Sequence, residues 1–118
     1  MSLLAGEIVL IPDAPFTNYL SAKARPCLVV SGTQFNNDGP DVILAPISSV
    51  VRPGDPKQIV VDSGHSGFPQ TGLKQTSAVK CGAIFAYSAV QIRRRLGSVP
   101  PEILREVRSL IIGILTQD

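Results

Sequence analysis

Short apolar segments alternate with turn-forming residues along most of this chain. Segments of this length, rich in β-branched residues, are typical of β-strands. Five strands are predicted in this way, over residues 6–11, 27–31, 41–47, 59–62 and 77–81. Residues 82–87 are predicted either to extend the fifth strand or to begin a sixth. Ten prolines and ten glycines separate the pieces, as expected for a small β-barrel or sandwich.

The C-terminal region has helical periodicity instead. Its apolar residues recur at spacings of three and four and form one stripe. The stripe consists of Ile103, Leu104, Val107, Leu110, Ile111, Ile114 and Leu115. Pro100 and Pro101 suit the first turn of a helix, and Ser98 suits its N-cap. We therefore expect an amphipathic helix that packs on the sheet.

The connecting segments are expected to differ in kind. Residues 12–23 form a long loop and a candidate lid, because connections of this length are usually functional or disordered. Residues 34–40 predict a hairpin turn, and residues 63–69 predict a flexible loop. Residues 89–97 contain three adjacent arginines and are predicted to be a short helical or irregular piece with its charges in solvent.

Composition limits the class of protein. The 118 residues are expected to form one domain, residues 1–118, with a core of its own. A hydrophobic content of 44% excludes a disordered chain, and 5% aromatic residues without tryptophan indicate an aliphatic core. The net charge of +2 is too small to mark a nucleic-acid-binding protein, so an anion site must come from local clustering. No apolar run is long enough for a secretory signal or a membrane span, which predicts a cytoplasmic protein with no membrane partner.

Few residues are suited to binding a metal or carrying a proton. Cys27 and Cys81 lie in apolar, strand-like segments, where a reduced thiol packs as a small hydrophobic group. Two cysteines without a histidine cluster do not form a zinc site, and we expect no metal and no other cofactor. His65 is the sole histidine; it lies among glycines and serines and is interpreted as a bystander.

The polar groups at two strand ends are the candidates for chemistry. Arg25 precedes Pro26 at the start of the second strand, where its guanidinium can clamp a phosphate through two hydrogen bonds. Ser48 and Ser49 follow the apolar third strand. The alternative interpretation is structural: the arginine is solvated or paired with a surface carboxylate, and the hydroxyls cap a turn.

Six motifs occur in the same order as in a known family. They comprise a Gly-Glu-Ile-Val strand at 6–9, Pro-Phe-Thr at 15–17, Ala-Arg-Pro-Cys-Leu-Val-Val-Ser at 24–31, Ala-Pro-Ile-Ser-Ser at 45–49, Gly-Leu-Lys-Gln-Thr-Ser-Ala-Val-Lys-Cys at 72–81, and Leu-Gly at 96–97 before a Pro-Glu helix. Each motif is weak singly, but their order is specific. With them the chain resembles the MazF/PemK family of toxin endoribonucleases from bacterial toxin-antitoxin systems.

This resemblance implies a fold and a reaction. The fold is mainly β: an SH3-like, strongly bent β barrel of the CcdB/Kid/PemK type with a C-terminal helix, usually as a homodimer. Family members cleave single-stranded RNA without a metal ion, leaving a 2′,3′-cyclic phosphate and a 5′-hydroxyl. The resemblance therefore implies a growth-inhibiting, sequence-specific endoribonuclease whose partners are single-stranded RNA and a cognate antitoxin protein.

The resemblance also assigns roles to individual residues. Arg25 and Ser48 become the catalytic candidates: the guanidinium stabilises the phosphorane, and the hydroxyl holds the phosphate or the 2′-hydroxyl in line. The residues expected to bind substrate are Ser49, Thr17, Lys23, Lys80 and Pro26.

Two departures from the family pattern bear on activity. Leu20 stands where many members have an acidic residue, and Ala83-Ile84-Phe85 stands where they have a polar triplet. A cation is thereby missing, and Lys23, Lys74, Lys80 or Arg52 are the candidates to replace it. Two alternatives to a nuclease stay open on this basis: an RNA-binding protein that does not cleave, and a protein-interaction module on the same barrel.

Overall fold

The computed structural model describes residues 2–12 and 24–118. The strands are β1 Glu7–Ile11, β2 Arg25–Val29, β3 Asp41–Ser48, β4 Gln58–Val61, β5 Ser77–Lys80, β6 Phe85–Ser88 and β7 Arg94–Ser98. The helices are α1 Thr33–Asp38 and α2 Pro101–Thr116. Three short 3-10 turns, Phe68–Thr71, Cys81–Ala83 and Ala89–Gln91, join some of these elements.

All strands belong to one antiparallel sheet in the order β4-β5-β3-β2-β1-β7, with β6 paired to β3 beside this path. Within the described residues the outer strands β4 and β7 do not pair, so this strongly bent sheet is open. The predicted mainly β architecture with a C-terminal helix is confirmed. At the open edge, β7 packs against the 3-10 turn Phe68–Thr71.

Strand β3 organises the sheet because it has two neighbours on one side. Its first half, Asp41 to Leu44, pairs with β6, and its end, Ile47 and Ser48, pairs with β5. Pro46 lies between these two ladders, and proline has no N–H to donate. The segment that pairs with β3, from β5 to β6, is interrupted beside Pro46 by the turn Cys81–Ala83.

The two faces of the sheet each carry a buried aliphatic cluster. The larger cluster lies under α2 and joins that helix to the sheet; its members include Ile8, Leu28, Val79, Ile103 and Val107. The second cluster, on the other face, includes Val9, Ile11, Cys27, Val29 and Leu44. Alternate residues of β1 and β2 therefore serve opposite faces, as strand geometry requires.

The predicted C-terminal helix is confirmed, with one difference at each end. Ile103, Val107 and Ile111 are buried, whereas Leu115 at the end of the stripe is 68% exposed. The N-cap is Pro100 without a side-chain hydrogen bond. Ser98 does not cap the helix, because it is the last residue of β7 and pairs with Glu7.

Two connecting segments were predicted wrongly. Residues 34–40 contain most of a short helix and not a hairpin turn, because Asn36 is drawn into the interior, where its amide donates to the Leu3 carbonyl at 3.0 Å and its amide oxygen accepts from the Ser31 hydroxyl. The arginine-rich segment begins with the 3-10 turn Ala89–Gln91 but continues as strand β7. The predicted exposure of its three arginines to solvent is confirmed. In β7 the Arg95 guanidinium lies 3.3 Å from the Glu7 carboxylate of β1. This ion pair stabilises the pairing of β7 with β1.

Backbone contact between β7 and the turn Phe68–Thr71 leaves no room for a side chain at Gly97. A Cβ atom there would lie 2.0 Å from the Gln70 carbonyl oxygen. This distance is far inside van der Waals contact, and both partners are backbone, so neither can move aside easily.

We therefore expect Gly97→Ala to lower the free energy of unfolding by about 3 kcal/mol, measured by urea denaturation. Gly39→Ala is the matched control, since a Cβ at Gly39 meets nothing within 4 Å. Equal stability of the two variants would contradict the packing described here.

Candidate functional site

Ser48 is the last residue of β3 and pairs with Ala78 of β5. Its Oγ accepts a hydrogen bond from the Val50 amide at 3.0 Å, so the hydroxyl does cap the turn that follows the strand. A hydroxyl has two lone pairs and one proton, and this contact uses one lone pair. Its O–H can still donate to a phosphate oxygen. Ser49, next in the chain, is exposed.

Arg25 begins β2 at the same end of the sheet. It lies opposite Ile11 of β1 and is half-buried. The β2–β3 register pairs Cys27 with Pro46; Arg25 lies two residues before Cys27, and Ser48 lies two residues after Pro46. Because side chains alternate along a strand, Arg25 and Ser48 project from the same face at the same end of this ladder.

The other predicted substrate-binding residues are distributed unevenly. Pro26 pairs with Leu10, and alternation places it on the face opposite to Arg25. Thr17 and Lys23, like the candidate lid and the Pro-Phe-Thr motif, lie outside the described residues. Lys80 ends β5 and lies beside Ser48 in a surface cleft.

This cleft, of about 470 Å³, opens between the loop that follows β3 and the turn Cys81–Ala83 that follows β5. It is lined by Ser48, Val50, Arg52, Asp55, Lys57, Lys80, Gly82 and Ala83. Three of these side chains are cationic and one is a carboxylate, so the lining carries a net positive charge. Local clustering of this kind is suited to an anion, even in a chain with a net charge of only +2.

The cationic side of the cleft is held by hydrogen bonds. The Lys80 ammonium donates to Gln58 Oε1 at 2.8 Å, and the Gln58 amide donates to the Arg52 carbonyl at 2.7 Å. The Cys81 amide donates to the Lys57 carbonyl at 2.9 Å. The loop between β3 and β4 is therefore tied to the end of β5.

Sequence reasoning found part of this cleft. Among the candidates to replace the missing cation, Arg52 and Lys80 line it, while Lys74 does not. Asp55 and Lys57 were missed. Their one sequence signal is that residues 52–57 combine three charges with two prolines and a glycine, a composition typical of a rigid charged turn.

His65 lies elsewhere. Its Nδ1 accepts from the Gly67 amide at 2.9 Å, and its Nε2 is 3.4 Å from a carboxylate oxygen of Glu102 at the start of α2. These contacts tie the segment before the turn Phe68–Thr71 to the C-terminal helix, and His65 is not a lining residue of the cleft.

The two cysteines are buried and unpaired with each other. Burial raises the pKa of the Cys27 thiol to about 12 and that of Cys81 to about 11. Both thiols are therefore neutral at physiological pH, and neither has the thiolate character that a nucleophile or metal ligand needs.

Residues 2–12 and 24–118 contain no group of three His, Cys, Asp or Glu side chains placed to hold a metal ion. No helix in the same ranges has the length and apolar character needed to cross a membrane.

The fold and the cleft define a class: a small open antiparallel sheet, backed by a C-terminal helix, with a cationic cleft at its strand ends. A family model for the PemK-like, MazF-like toxin of type II toxin-antitoxin systems matches residues 4–115. The chain belongs to this family, as the resemblance of its motifs predicted.

Solved structures agree with this assignment. A chain from the crystal structure of MazE-MazF (Form-II) of Deinococcus radiodurans has a TM-score of 0.76 at 21% identity, with 100% of this chain and 99% of that chain covered. An endoribonuclease in complex with its cognate antitoxin from Mycobacterial species has a TM-score of 0.73 at 22% identity, covering 98% and 97%. The Mycobacterium tuberculosis toxin MazF-mt6 has a TM-score of 0.71 at 22% identity, covering 96% and 98%. At these identities the similarity shows a common fold. No curated protein matches the sequence.

We expect both thiols to resist iodoacetamide at pH 8 in the folded protein and to react rapidly in denaturant. The reason is that the thiolate is the reactive form, and burial disfavours it. Because the folded pKa values lie above the ordinary 9.0, the stability that these thiols contribute is fully present below pH 9 and is lost as the pH rises toward 11–12. Rapid modification of the folded protein, detected by mass spectrometry, would contradict this.

Proposed function

We propose that this chain is a toxin that cleaves single-stranded RNA by transesterification, without a metal ion. The observation that supports this most directly is the cleft between the loop after β3 and the turn after β5. Ser48 lines this cleft together with the cations Arg52, Lys57 and Lys80. Arg25 begins the neighbouring strand on the face from which Ser48 projects.

The reaction requires charge stabilisation and alignment. Attack of a ribose 2′-hydroxyl on the adjacent phosphorus places extra negative charge on the phosphate oxygens, which fixed cations stabilise. In this proposal Arg25 binds those oxygens through its forked guanidinium. Ser48 donates its free O–H to the same phosphate and holds it in line, since alignment of the reacting groups lowers the barrier further.

Other residues of the cleft can replace the cation of the missing polar triplet. Gly82 and Ala83 line the cleft without charge, but Arg52 and Lys57 reach it from the β3–β4 loop. The Lys57 side chain lies over Gly82, since a Cβ there would be 3.6 Å from Lys57 Cδ. We propose that these two cations, with Lys80, carry the phosphate contacts that the triplet carries in other members.

Two protein partners are proposed: a cognate antitoxin and a second copy of this chain. Similar folds include an endoribonuclease in complex with its cognate antitoxin, and we propose that a cognate antitoxin likewise neutralises this chain in the cytoplasm. We propose a homodimer as well. Supporting it, Ile112 and Leu115 are 60% and 68% exposed on α2, an apolar surface that a second subunit could cover.

We expect the purified protein to cleave a long single-stranded RNA in the presence of EDTA, with fragments carrying 2′,3′-cyclic phosphate and 5′-hydroxyl ends. Arg25→Ala is expected to lower kcat by about 10²-fold or more, because a transition-state contact is lost. Ser48→Ala is expected to lower it as well, with the fragment pattern unchanged. Gel analysis and mass spectrometry of the fragment ends measure both effects.

The outcome of that experiment separates the alternatives. RNA binding without fragments would favour the RNA-binding protein that does not cleave. Absence of RNA affinity would favour the protein-interaction module. Cleavage that disappears with EDTA and returns with a divalent metal would contradict the metal-independent mechanism.

The cleft cations should appear in the salt dependence of binding. With an uncleavable 2′-deoxy oligonucleotide, Lys80→Ala should reduce the slope of log K against log salt by about 0.7, the value for one single-strand phosphate contact. Lys74→Ala is the matched control, since Lys74 is exposed and does not line the cleft. Equal slopes for the two variants would contradict a phosphate role for Lys80.

A further inference from the structure

One carboxylate lies among the cations of the cleft, and the proposed function does not use it. Asp55 is the sole acidic residue in the lining described above, and its side chain is half-buried. A transesterification needs a group that accepts the proton of the 2′-hydroxyl.

The loop that carries Asp55 is fixed. The Asp55 amide donates to the Arg52 carbonyl at 3.1 Å, and Gly54 before it has a φ of 77°, a left-handed conformation that favours glycine. Asp55 Oδ1 accepts from the Lys57 amide at 2.9 Å. The carboxylate is thus held in one orientation by its own backbone, as a preorganised catalytic group must be.

The second carboxylate oxygen is uncommitted. Among residues 2–12 and 24–118, Asp55 makes no ion pair with Arg52, Lys57 or Lys80 and no other side-chain hydrogen bond. A carboxylate that only balanced the cleft cations would be expected to pair with one of them. Asp55 Oδ2 is instead available as an acceptor at the cleft wall. The sole histidine, His65, could also accept a proton, but it contacts Glu102 at the start of α2 and does not line the cleft.

The geometry points to Asp55 as the general base of the cleavage reaction, an inference that rests on the proposed nuclease function. Asp55 Oδ2 takes the proton of the 2′-hydroxyl as the O2′–P bond forms. The P–O5′ bond breaks, and O5′ leaves with the bonding pair and takes a proton from a water molecule. The resulting hydroxide takes the proton from Asp55, so that the carboxylate is restored and the reaction balances.

The test is Asp55→Asn, which preserves shape and leaves an amide oxygen to accept from the Lys57 amide. We expect kcat to fall by about 10²-fold, the usual contribution of a general base. Binding of an uncleavable 2′-deoxy oligonucleotide should be unchanged or tighter, because a negative charge is removed from an anion site. Asp55→Glu, which keeps a carboxylate, should recover part of the activity.

The control is Asp62→Asn. Asp62 Oδ1 accepts from the Gly64 amide at 2.7 Å, two residues ahead, which is the same turn contact that Asp55 makes, but Asp62 does not line the cleft. A purely structural role would make the two variants equally active and equally stable to heat.

Each remaining outcome is decisive. Wild-type cleavage with a fully active Asp55→Asn variant would overturn the role of Asp55 and leave the nuclease proposal standing. Loss of RNA binding in that variant would also overturn it. A wild-type protein that binds RNA but does not cleave it would overturn the nuclease proposal itself, and the general base with it.

Discussion

The interruption of β3 at Pro46 is the constraint on which both the sheet and the site depend. A strand without an N–H at one position cannot continue a regular ladder there. In this chain one ladder with β6 ends before Pro46 and a second ladder with β5 begins after it. The backbone that joins β5 to β6 therefore leaves the sheet as the turn Cys81–Ala83. The cleft opens at this position, between that turn and the loop that follows β3.

The site is thus assembled from strand ends and a loop on a scaffold that is aliphatic on both faces. The two buried clusters fix the positions of β1, β2 and β3 relative to each other. The positions of Arg25 and Ser48 are therefore fixed as well, because each stands at an end of one of these strands, although neither residue is fully buried. The loop of residues 52–57 adds the remaining charges. Hydrogen bonds within the loop, from Gln58 of β4 and from Cys81 in the turn after β5 hold it at the cleft wall. Functional residues are often carried in this way on loops that a rigid scaffold holds in place.

The departures from the family pattern acquire a physical meaning in this arrangement. Residues 83–85 carry no charged side chain, so Gly82 and Ala83 are a neutral part of the cleft lining. The stem of Lys57 lies over Gly82. In the proposed function, Arg52 and Lys57 of the facing loop replace the cation that the resemblance places in the polar triplet. An anion site depends on where charges meet in space, so cations from a different segment can bind the same anion.

Much of the fold could be read from the sequence, because period-two and period-3.6 patterns reflect burial directly. The five predicted strands follow from short apolar segments bounded by turn-forming residues, and the buried part of α2 follows from apolar residues spaced three and four apart. Local pattern failed where a distant contact decides the structure. Arg95 is part of a strand because β1 offers it both a ladder and the carboxylate of Glu7. Asn36 is in a helix because buried partners at Leu3 and Ser31 satisfy its side chain.

Some residues of the candidate site could likewise be predicted from the sequence, and others could not. Arg25 and Ser48 were identified from motifs, since each motif is contiguous and its residue types suit phosphate chemistry. The sequence by itself also determined the aliphatic core and the family. Only the tertiary structure decided that the sheet stays open, that Lys74 lies away from the cleft, and that Asp55 and Lys57 line it. These facts depend on which loop faces which strand end, and that choice is made by long-range packing that no local pattern encodes.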